Sequence, residues 1–440
     1  MPPRLSVLGT GYLGATHAVC MAELGFDVLG LDVDTAKIDR LNAGDVPFFE
    51  PGLGEMLRKN VDAGNVRFTS SYDDIAEFGD VHFICAGTPQ KIGEYAADLT
   101  QVDNVVTALA PRLKRECLVV GKSTVPSGTA ARVARDLVRR APAGTGVELA
   151  WNPEFLREGY AVEDTLHPDR LVFGVEPGGR GEEILRAVYA TIIDDNVPVI
   201  VTDYATAELV KVAANAFLAT KISFINAMAE VCEAVGADVT ALAEALGHDS
   251  RIGRRFLHPG LGFGGGCLPK DIRAFMARAG ELGVDQALSF LREVDAINGR
   301  RRVRMVDLAR ELVDGSFVGR RIAILGAAFK PNSDDIRDSP ALDVADAIRM
   351  HGAEVTVYDP AALNNARRDY PNLNYAESAA EAARDADAVL HLTEWHEFTE
   401  MDPAHLGEIV RHKRIVDGRN ALDAERWRAA GWTYRALGRP

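Results

Sequence analysis

Cysteine is scarce: there are five in 440 residues, at 20, 85, 117, 232 and 267, an odd number with no CxxC pair. That excludes a disulfide framework and a zinc site built on paired thiols. Positive charge is also in deficit, with 49 Lys+Arg against 64 Asp+Glu and a formal net charge of −15. Nucleic acid and anionic membrane are therefore not expected as main partners, although a local basic anion site remains open. No apolar run approaches the ~18 residues of a membrane helix. Met1-Pro2-Pro3-Arg4 leads straight into Leu5-Ser6-Val7-Leu8 without the layout of a signal peptide. Short-period repeats and low-complexity linkers are missing as well. What remains is an acidic, soluble, globular chain for a reducing, cytoplasmic compartment. At roughly 100–200 residues per domain, its length allows two to four domains.

The first third alternates short apolar runs with amphipathic stretches. Leu5–Leu8, Val28–Leu31, Val81–Cys85, Cys117–Val120 and Val147–Ala150 read as buried strands, with helices such as Leu13–Leu24 and Asp103–Leu113 between them. Strands alternating with helices imply a parallel, doubly wound sheet. After Pro198 the texture changes. From Val199 to Val235 there is neither Gly nor Pro, and apolar residues recur at helical spacing through Leu209, Val212, Ala216, Ile222 and Met228. This predicts one long helix, Tyr204–Val235, of the kind that bridges domains or builds a dimer interface. Helical sequence continues to Leu312, broken by the glycine-rich Pro259–Cys267, and α/β texture then returns at Arg321–Gly326, Glu354–Asp359 and Ala388–Leu392. The expected fold class is α/β, with two Rossmann-like doubly wound domains joined by a central helical region. The expected division is 1–200, 201–300 and 301–440. Four arginines within Arg300–Arg304 read as a solvated helix face.

Gly9-Thr10-Gly11-Tyr12-Leu13-Gly14 follows the first strand and opens a helix, and Asp32 ends the second strand. A bare GxGxxG is weak evidence, but this one stands in the required strand–turn–helix context. Gly9 permits the tight turn, Gly11 lets a pyrophosphate approach the backbone, and Gly14 lets the helix pack on the strand. With Tyr12 and Leu13 they form the predicted phosphate loop, where helix N–H groups and dipole meet the anion. Asp32 suits ribose hydroxyls and would repel a 2′-phosphate, so NAD is expected rather than NADP. Lys37 can neutralise part of that charge. Thr88 and Thr124 follow strand ends that face the ligand crevice of such a sheet.

Three stretches concentrate polar groups. They are Asn152-Pro153-Glu154-Phe155-Leu156-Arg157-Glu158-Gly159, the pair Lys211 and Asn215 on one face of the long helix, and Phe263-Gly264-Gly265-Gly266-Cys267-Leu268-Pro269-Lys270-Asp271. Pro269 suits the first turn of a helix, which puts Cys267 at a helix N-terminus that favours thiolate. Cys20, Cys85, Cys117 and Cys232 read as small core residues. A thiolate working with a nicotinamide suggests aldehyde oxidation: the thiol adds to a carbonyl, hydride leaves, and a thioester remains for hydrolysis. Lys211 and Asn215 suit the developing alkoxide and Glu154 suits water activation.

The glycine loop, Asn152–Gly159, Phe263–Asp271 and Phe329-Lys330, in this order across essentially the whole chain, resemble the UDP-glucose/GDP-mannose dehydrogenase family. The resemblance implies a four-electron oxidation of a nucleotide sugar at C6 with two NAD. It also implies an NAD domain, a central dimerisation helix making a homodimer, and a C-terminal nucleotide-binding domain, with no metal. By matching position, Cys267 is the implied nucleophile, Lys211 and Asn215 the oxyanion stabilisers, and Glu154 the acid/base group. Thr124 and Asp271 would position water. Glu154, Phe155, Leu156, Glu158, Lys211 and Asn215 fall on substrate contacts. So do His258, Gly260, Gly262, Phe263 and Gly264 of the loop over the nucleotide base, together with Phe329, Lys330 and Arg419. Glu158, Lys270 and Arg337 fall on cofactor contacts, and Arg251 resembles an arginine that reaches a neighbouring subunit's sugar site.

His167-Pro168-Asp169-Arg170 and Arg251-Ile252 resemble the UDP-glucose members more than the GDP-mannose ones. Two departures stand out: Gly266 where many members have Ser, and Ala86 where many have Val or Gly. Gly326-Ala327-Ala328-Phe329-Lys330 lacks the GxGxxG of a second dinucleotide site, so phosphate recognition there would rest on Lys330 and arginines. The rival readings are the same chemistry on GDP-mannose or a UDP-N-acetyl amino sugar, a two-electron hydroxyacid dehydrogenase, and a non-catalytic nucleotide-sugar sensor.

Overall fold

Leu5–Leu8 is buried on every side chain and forms β1 inside the first of two sheets. A parallel strand covered by helices on both faces has to be apolar throughout. Its one polar member, Ser6, is bonded to His82 Nδ1 at 2.7 Å. The structure, a computed structural model, describes residues 2–439. It divides into two units, Met1–Ala214 with Arg273–Leu282, and Asn215–Ile272 with Gly283–Pro440.

The first unit carries β1, β2 (Val28–Leu31), β3 (Val66–Thr69), β4 (Val81–Ile84), β5 (Cys117–Gly121), β6 (Val147–Trp151), β7 (Leu171–Val175) and β8 (Val199–Thr202). Their order is β3-β2-β1-β4-β5-β6-β7-β8. Leu5 lies opposite Val28 on one side and Val81 on the other. The order reverses beside β1, and such a switch point opens a ligand crevice at the carboxyl ends of the strands. The sheet is not wholly parallel as expected: β7 runs antiparallel to β6, with Ala150 opposite Val175. Apolar runs reveal strands but not their direction. Here the link between the two strands includes only the short helix Ala161–Leu166, so the chain turns back instead of crossing over.

The second unit carries β9 (Arg321–Leu325), β10 (Glu354–Tyr358), β11 (Asn374–Tyr375), β12 (Ala388–His391), β13 (Arg414–Asp417) and β14 (Thr433–Ala436). Their order, β11-β10-β9-β12-β13-β14, repeats the first six positions of the other sheet, and every pair is parallel. Strands β3, β7, β8, β11, β13 and β14 were not among those the apolar runs picked out; several alternate or are short.

The helix Tyr204–Val235 has the bounds its composition predicts. By length and composition alone it is apolar enough to cross a bilayer, a property that the core helix of a globular protein shares. Glu208, Lys211 and Lys221 interrupt it, so no unbroken apolar run reaches the expected membrane length. Ile225, Ala229 and Cys232 on this helix belong to a protein core with Val239, Ala243 and Leu257. The arginine cluster also departs from expectation. On the helix Phe290–Leu312, Arg301 is fully buried and donates to Glu233 at 3.4 Å, while Arg304 meets the same carboxylate at 2.7 Å. Consecutive helical residues point around the whole axis, so one of them had to face inward.

Candidate active site

In the first unit the glycine loop has the geometry its spacing requires. Gly9 sits at φ +93°, where a side chain is strained. A Cβ on Gly14 would overlap the carbonyl oxygen of Gly9 and stand 2.9 Å from its carbon. Gly11, the residue before the helix Tyr12–Glu23, has no atom within 4 Å of its would-be Cβ. The backbone therefore leaves open space where a pyrophosphate would approach, and the loop fits a dinucleotide. Leu13 lies in the first turn of that helix, so its backbone belongs to the same cradle.

Asp32 is buried behind the loop. Its Oδ2 accepts from Thr10 N at 3.0 Å and from Lys37 Nζ at 2.8 Å, and its Oδ1 accepts from Asp34 N at 3.1 Å. Burial works to raise its pKa, but Lys37 and the backbone N–H groups outweigh that and hold the carboxyl below its usual range. The expected Asp32–Lys37 neutralisation is thus a direct ion pair. Thr88 donates to the Thr124 carbonyl at 2.8 Å, so the two crevice threonines stand together.

Glu154 and Lys211 also meet: Nζ lies 3.3 Å from Oε1, with both side chains largely buried. The other carboxylate oxygen accepts from Leu156 N at 2.6 Å, which fixes the turn. Two cations lie over the Phe155 ring, with Arg170 3.9 Å and Lys211 5.5 Å from its centre. Glu158 is buried. The next residue, Gly159, donates to Glu50 Oε2 at 2.7 Å and to the Tyr12 hydroxyl at 2.9 Å, and Ala161 N donates to Glu50 Oε1 at 2.7 Å. Tyr12 itself bonds Glu50. Burial and that carboxylate push the Tyr12 phenol far up, so it stays a donor. Its side chain therefore clamps the start of the phosphate-loop helix to the Glu154-bearing segment. Glu50 was missed in the sequence, where Phe49-Glu50-Pro51-Gly52 reads as a turn with no chemical motif.

The second unit gathers other predicted residues. Cys267 is exposed and immediately precedes the helix Leu268–Glu281; its carbonyl accepts the first-turn bond from Asp271 N at 2.9 Å. Asp271 is buried and held from two sides, by Asn215 Nδ2 at 2.7 Å and Lys270 Nζ at 2.6 Å. A Cβ on Gly266 would come 2.5 Å from both terminal nitrogens of Arg337, so a serine there would require that guanidinium to move. Gly265, at φ +82°, lies against the Phe329 ring, and Gly264 lies against Pro340. Phe263 N donates to Asn298 Oδ1 at 2.8 Å and Gly260 N to Asn226 Oδ1 at 2.8 Å, so the glycine-rich loop is tied to two helices.

Arg419 donates to three carbonyls: Leu392 at 2.8 Å, Gly262 at 2.9 Å and Phe329 at 3.0 Å. Lys330 Nζ lies 5.5 Å from the Phe329 ring centre. The turn after β9 differs from the first phosphate loop: Asp359 Oδ2 accepts from Ala327 N at 2.7 Å, as Asp32 does from Thr10 N, but also from Ala328 N at 2.9 Å and Trp395 Nε1 at 3.1 Å, and Phe329 N donates to Asp335 O at 3.1 Å. The turn's N–H groups are consumed internally, in keeping with the missing GxGxxG. His258 is exposed, and Arg251, 88% exposed, pairs with Asp249 at 2.6 Å.

An open glycine loop at a sheet's switch point, a buried acid at the end of the second strand, and a second α/β unit whose equivalent loop is closed define an NAD-dependent dehydrogenase. Family models of the NAD-binding, central and UDP-binding domains of the UDP-glucose/GDP-mannose dehydrogenases match residues 3–193, 205–300 and 323–424, and the chain belongs to that family. Among its relatives, the UDP-glucose 6-dehydrogenase of Rhizobium meliloti is 40% identical over 438 residues, 99% of this chain and 100% of that protein. A UDP-glucose dehydrogenase structure from Pyrobaculum islandicum superposes with a TM-score of 0.91 at 37% identity, covering 100% of this chain and 98% of that one. A UDP-D-ManNAc dehydrogenase from Pyrococcus horikoshii gives 0.85 at 28% identity, covering 99% of each chain.

Proposed function

We propose that this dehydrogenase oxidises UDP-glucose at C6 to UDP-glucuronate. NAD, when bound, supplies the hydride acceptor for each of the two oxidations. Cys267 Sγ adds to the C6 aldehyde carbonyl, giving a thiohemiacetal and, after hydride loss, a thioester. Lys211 and Asn215 donate to the developing alkoxide. Glu154 takes the proton of the attacking water, and Thr124 and Asp271 orient that water. Water then displaces the thiol and releases the carboxylate. The observation that carries this reading is the pairing of the two helix residues with carboxylates: Lys211 with Glu154 at 3.3 Å and Asn215 with Asp271 at 2.7 Å, with Cys267 one turn before Asp271. A sensor has no use for such a set, and a two-electron enzyme would leave Cys267 without a task.

The nucleotide is assigned to residues 301–440, with Lys330 and Arg419 as its cations, and the cofactor to 1–200, with Glu158, Lys270 and Arg337 as further contacts. The region 201–300 makes a homodimer. Phe217, Phe224 and Val231, seven residues apart on the long helix, are 66, 49 and 52% exposed, which supports a helix seam between two copies. Arg251 would act across it. Five thiols with no disulfide among the described residues fit a reducing cytoplasm.

The deciding experiment counts NADH per sugar over a panel of UDP-glucose, GDP-mannose and UDP-N-acetyl amino sugars. Two NADH per UDP-glucose, with full turnover lost in Cys267→Ser, is expected. One NADH with released aldehyde, or an unaffected Cys267→Ala, would sink the thioester route. A faster rate on another sugar would reassign the substrate.

A further inference from the structure

Just past β5, in the first unit, Lys122 extends the ladder by one bond, its N–H donating to Ile84 O at 3.0 Å. Its side chain then turns inward and is 6% exposed. Nζ lies 5.9 Å from the Phe83 ring centre and 5.8 Å from that of Tyr189. It donates to Asn152 Oδ1 at 2.9 Å and to the Tyr189 hydroxyl at 3.3 Å. Both partners are neutral, and among the described residues no carboxylate lies within ion-pair distance of it. A buried ammonium without a counterion is an unfavourable arrangement that packing alone does not call for. A methionine or glutamine would fill the same volume.

The groups facing this charge come from every neighbouring element. His17, from the phosphate-loop helix, has its pKa lowered by burial and then by Lys122, and its Nε2 has no partner. Cys85, after β4, is pushed up by burial to about 12. Tyr189 is pushed far up by burial. All three stay neutral. The remaining two groups acting on Lys122 are Glu154 and Lys211. Asn152 stands two residues before Glu154, across Pro153, and is itself fixed by Nδ2 to Val172 O at 3.0 Å and by the Tyr189 hydroxyl at 2.7 Å.

We infer that Lys122 is a positioning residue for the oxidation: its ammonium locks Asn152, and with it the Asn152-Pro153-Glu154 turn, and sets the field in which Glu154 and Lys211 work. This rests on the roles given to those two residues above. Buried titratable groups with perturbed protonation gather at functional sites. Burial brings Lys122 down to about 8, so its charge is lost within the working range of the assay.

The test measures kcat, KM and the pH profile of NADH formation, using the best sugar of the panel, for wild type, Lys122→Met and Asn152→Asp. Lys122→Met is expected to lower kcat about 10- to 100-fold, with KM for NAD little changed. Wild type is expected to show an inflection near pH 8, and Lys122→Met should abolish it; a wild type without one overturns the inference. Asn152→Asp gives the ammonium a carboxylate partner and should move that inflection upward; this arm decides if Lys122→Met does not fold. A profile unchanged in both variants overturns the inference. A wild type that forms one NADH per sugar overturns the thioester reading instead, independently of what the variants do.

Discussion

Replacing Lys122 with methionine should stabilise the first unit at neutral pH, although it removes a side chain with two hydrogen bonds. Burial lowers the Lys122 pKa from 10.5 to about 8, so the unfolded chain binds this proton more tightly than the folded one. At ~1.36 kcal/mol per pH unit, that difference is a penalty of about 3 kcal/mol. The penalty is fully present below about pH 8, shrinks as pH rises, and is gone above 10.5, where both states are neutral. Methionine escapes it and loses the bond to Asn152 Oδ1, about 1 kcal/mol, and the longer 3.3 Å bond to the Tyr189 hydroxyl, a fraction of that, while the Tyr189 hydroxyl still satisfies the Asn152 oxygen at 2.7 Å. The net expectation is a gain of about 2 kcal/mol at pH 7, narrowing steadily toward alkaline pH. Hydrogen exchange of β1 and β5 amides, read by mass spectrometry at pH 7 and again above pH 9, isolates the unit that matters. A variant less stable than wild type at pH 7, or a difference that does not change with pH, would refute the electrostatic reasoning. A gain in stability together with a loss of turnover is the signature of a residue kept for function.

The glycine loop separates structure from ligand binding. Gly14→Ala, whose Cβ overlaps Gly9, should lower the melting temperature of the first unit, whereas Gly11→Ala, with open space, should leave melting intact and weaken NAD binding by about 10-fold or more in calorimetry. Equal effects on melting would contradict the packing account. Asp32→Asn keeps an acceptor for Thr10 N but removes the charge that repels a 2′-phosphate, so the NADP/NAD ratio of kcat/KM should rise by roughly tenfold or more. No change in that ratio would assign the discrimination elsewhere. Phe217→Glu with Phe224→Glu should convert a dimer to monomers in light scattering; a mass unaltered by the pair would remove the long helix from the interface.

Much was legible in the linear chain because the signals are local. The Tyr204–Val235 helix follows from periodicity and the absence of Gly and Pro, β1 and β2 from unbroken apolar runs, and the phosphate loop from glycines whose spacing is set by one turn of backbone. Cys267 before a proline-primed helix, with Asp271 one turn on, is likewise a short-range pattern. Strand direction, the inward arginine and the hidden clamps were not legible, because each depends on residues far apart in sequence. The β6–β7 reversal needs the fold to say which way the chain returns. Glu50 reaches Gly159 across 109 positions, and Lys122 reaches Tyr189 across 67. Type and spacing determined which chemistry the chain carries. Only tertiary packing decided which charges are buried, since desolvation depends on what closes over a side chain and not on its neighbours in sequence.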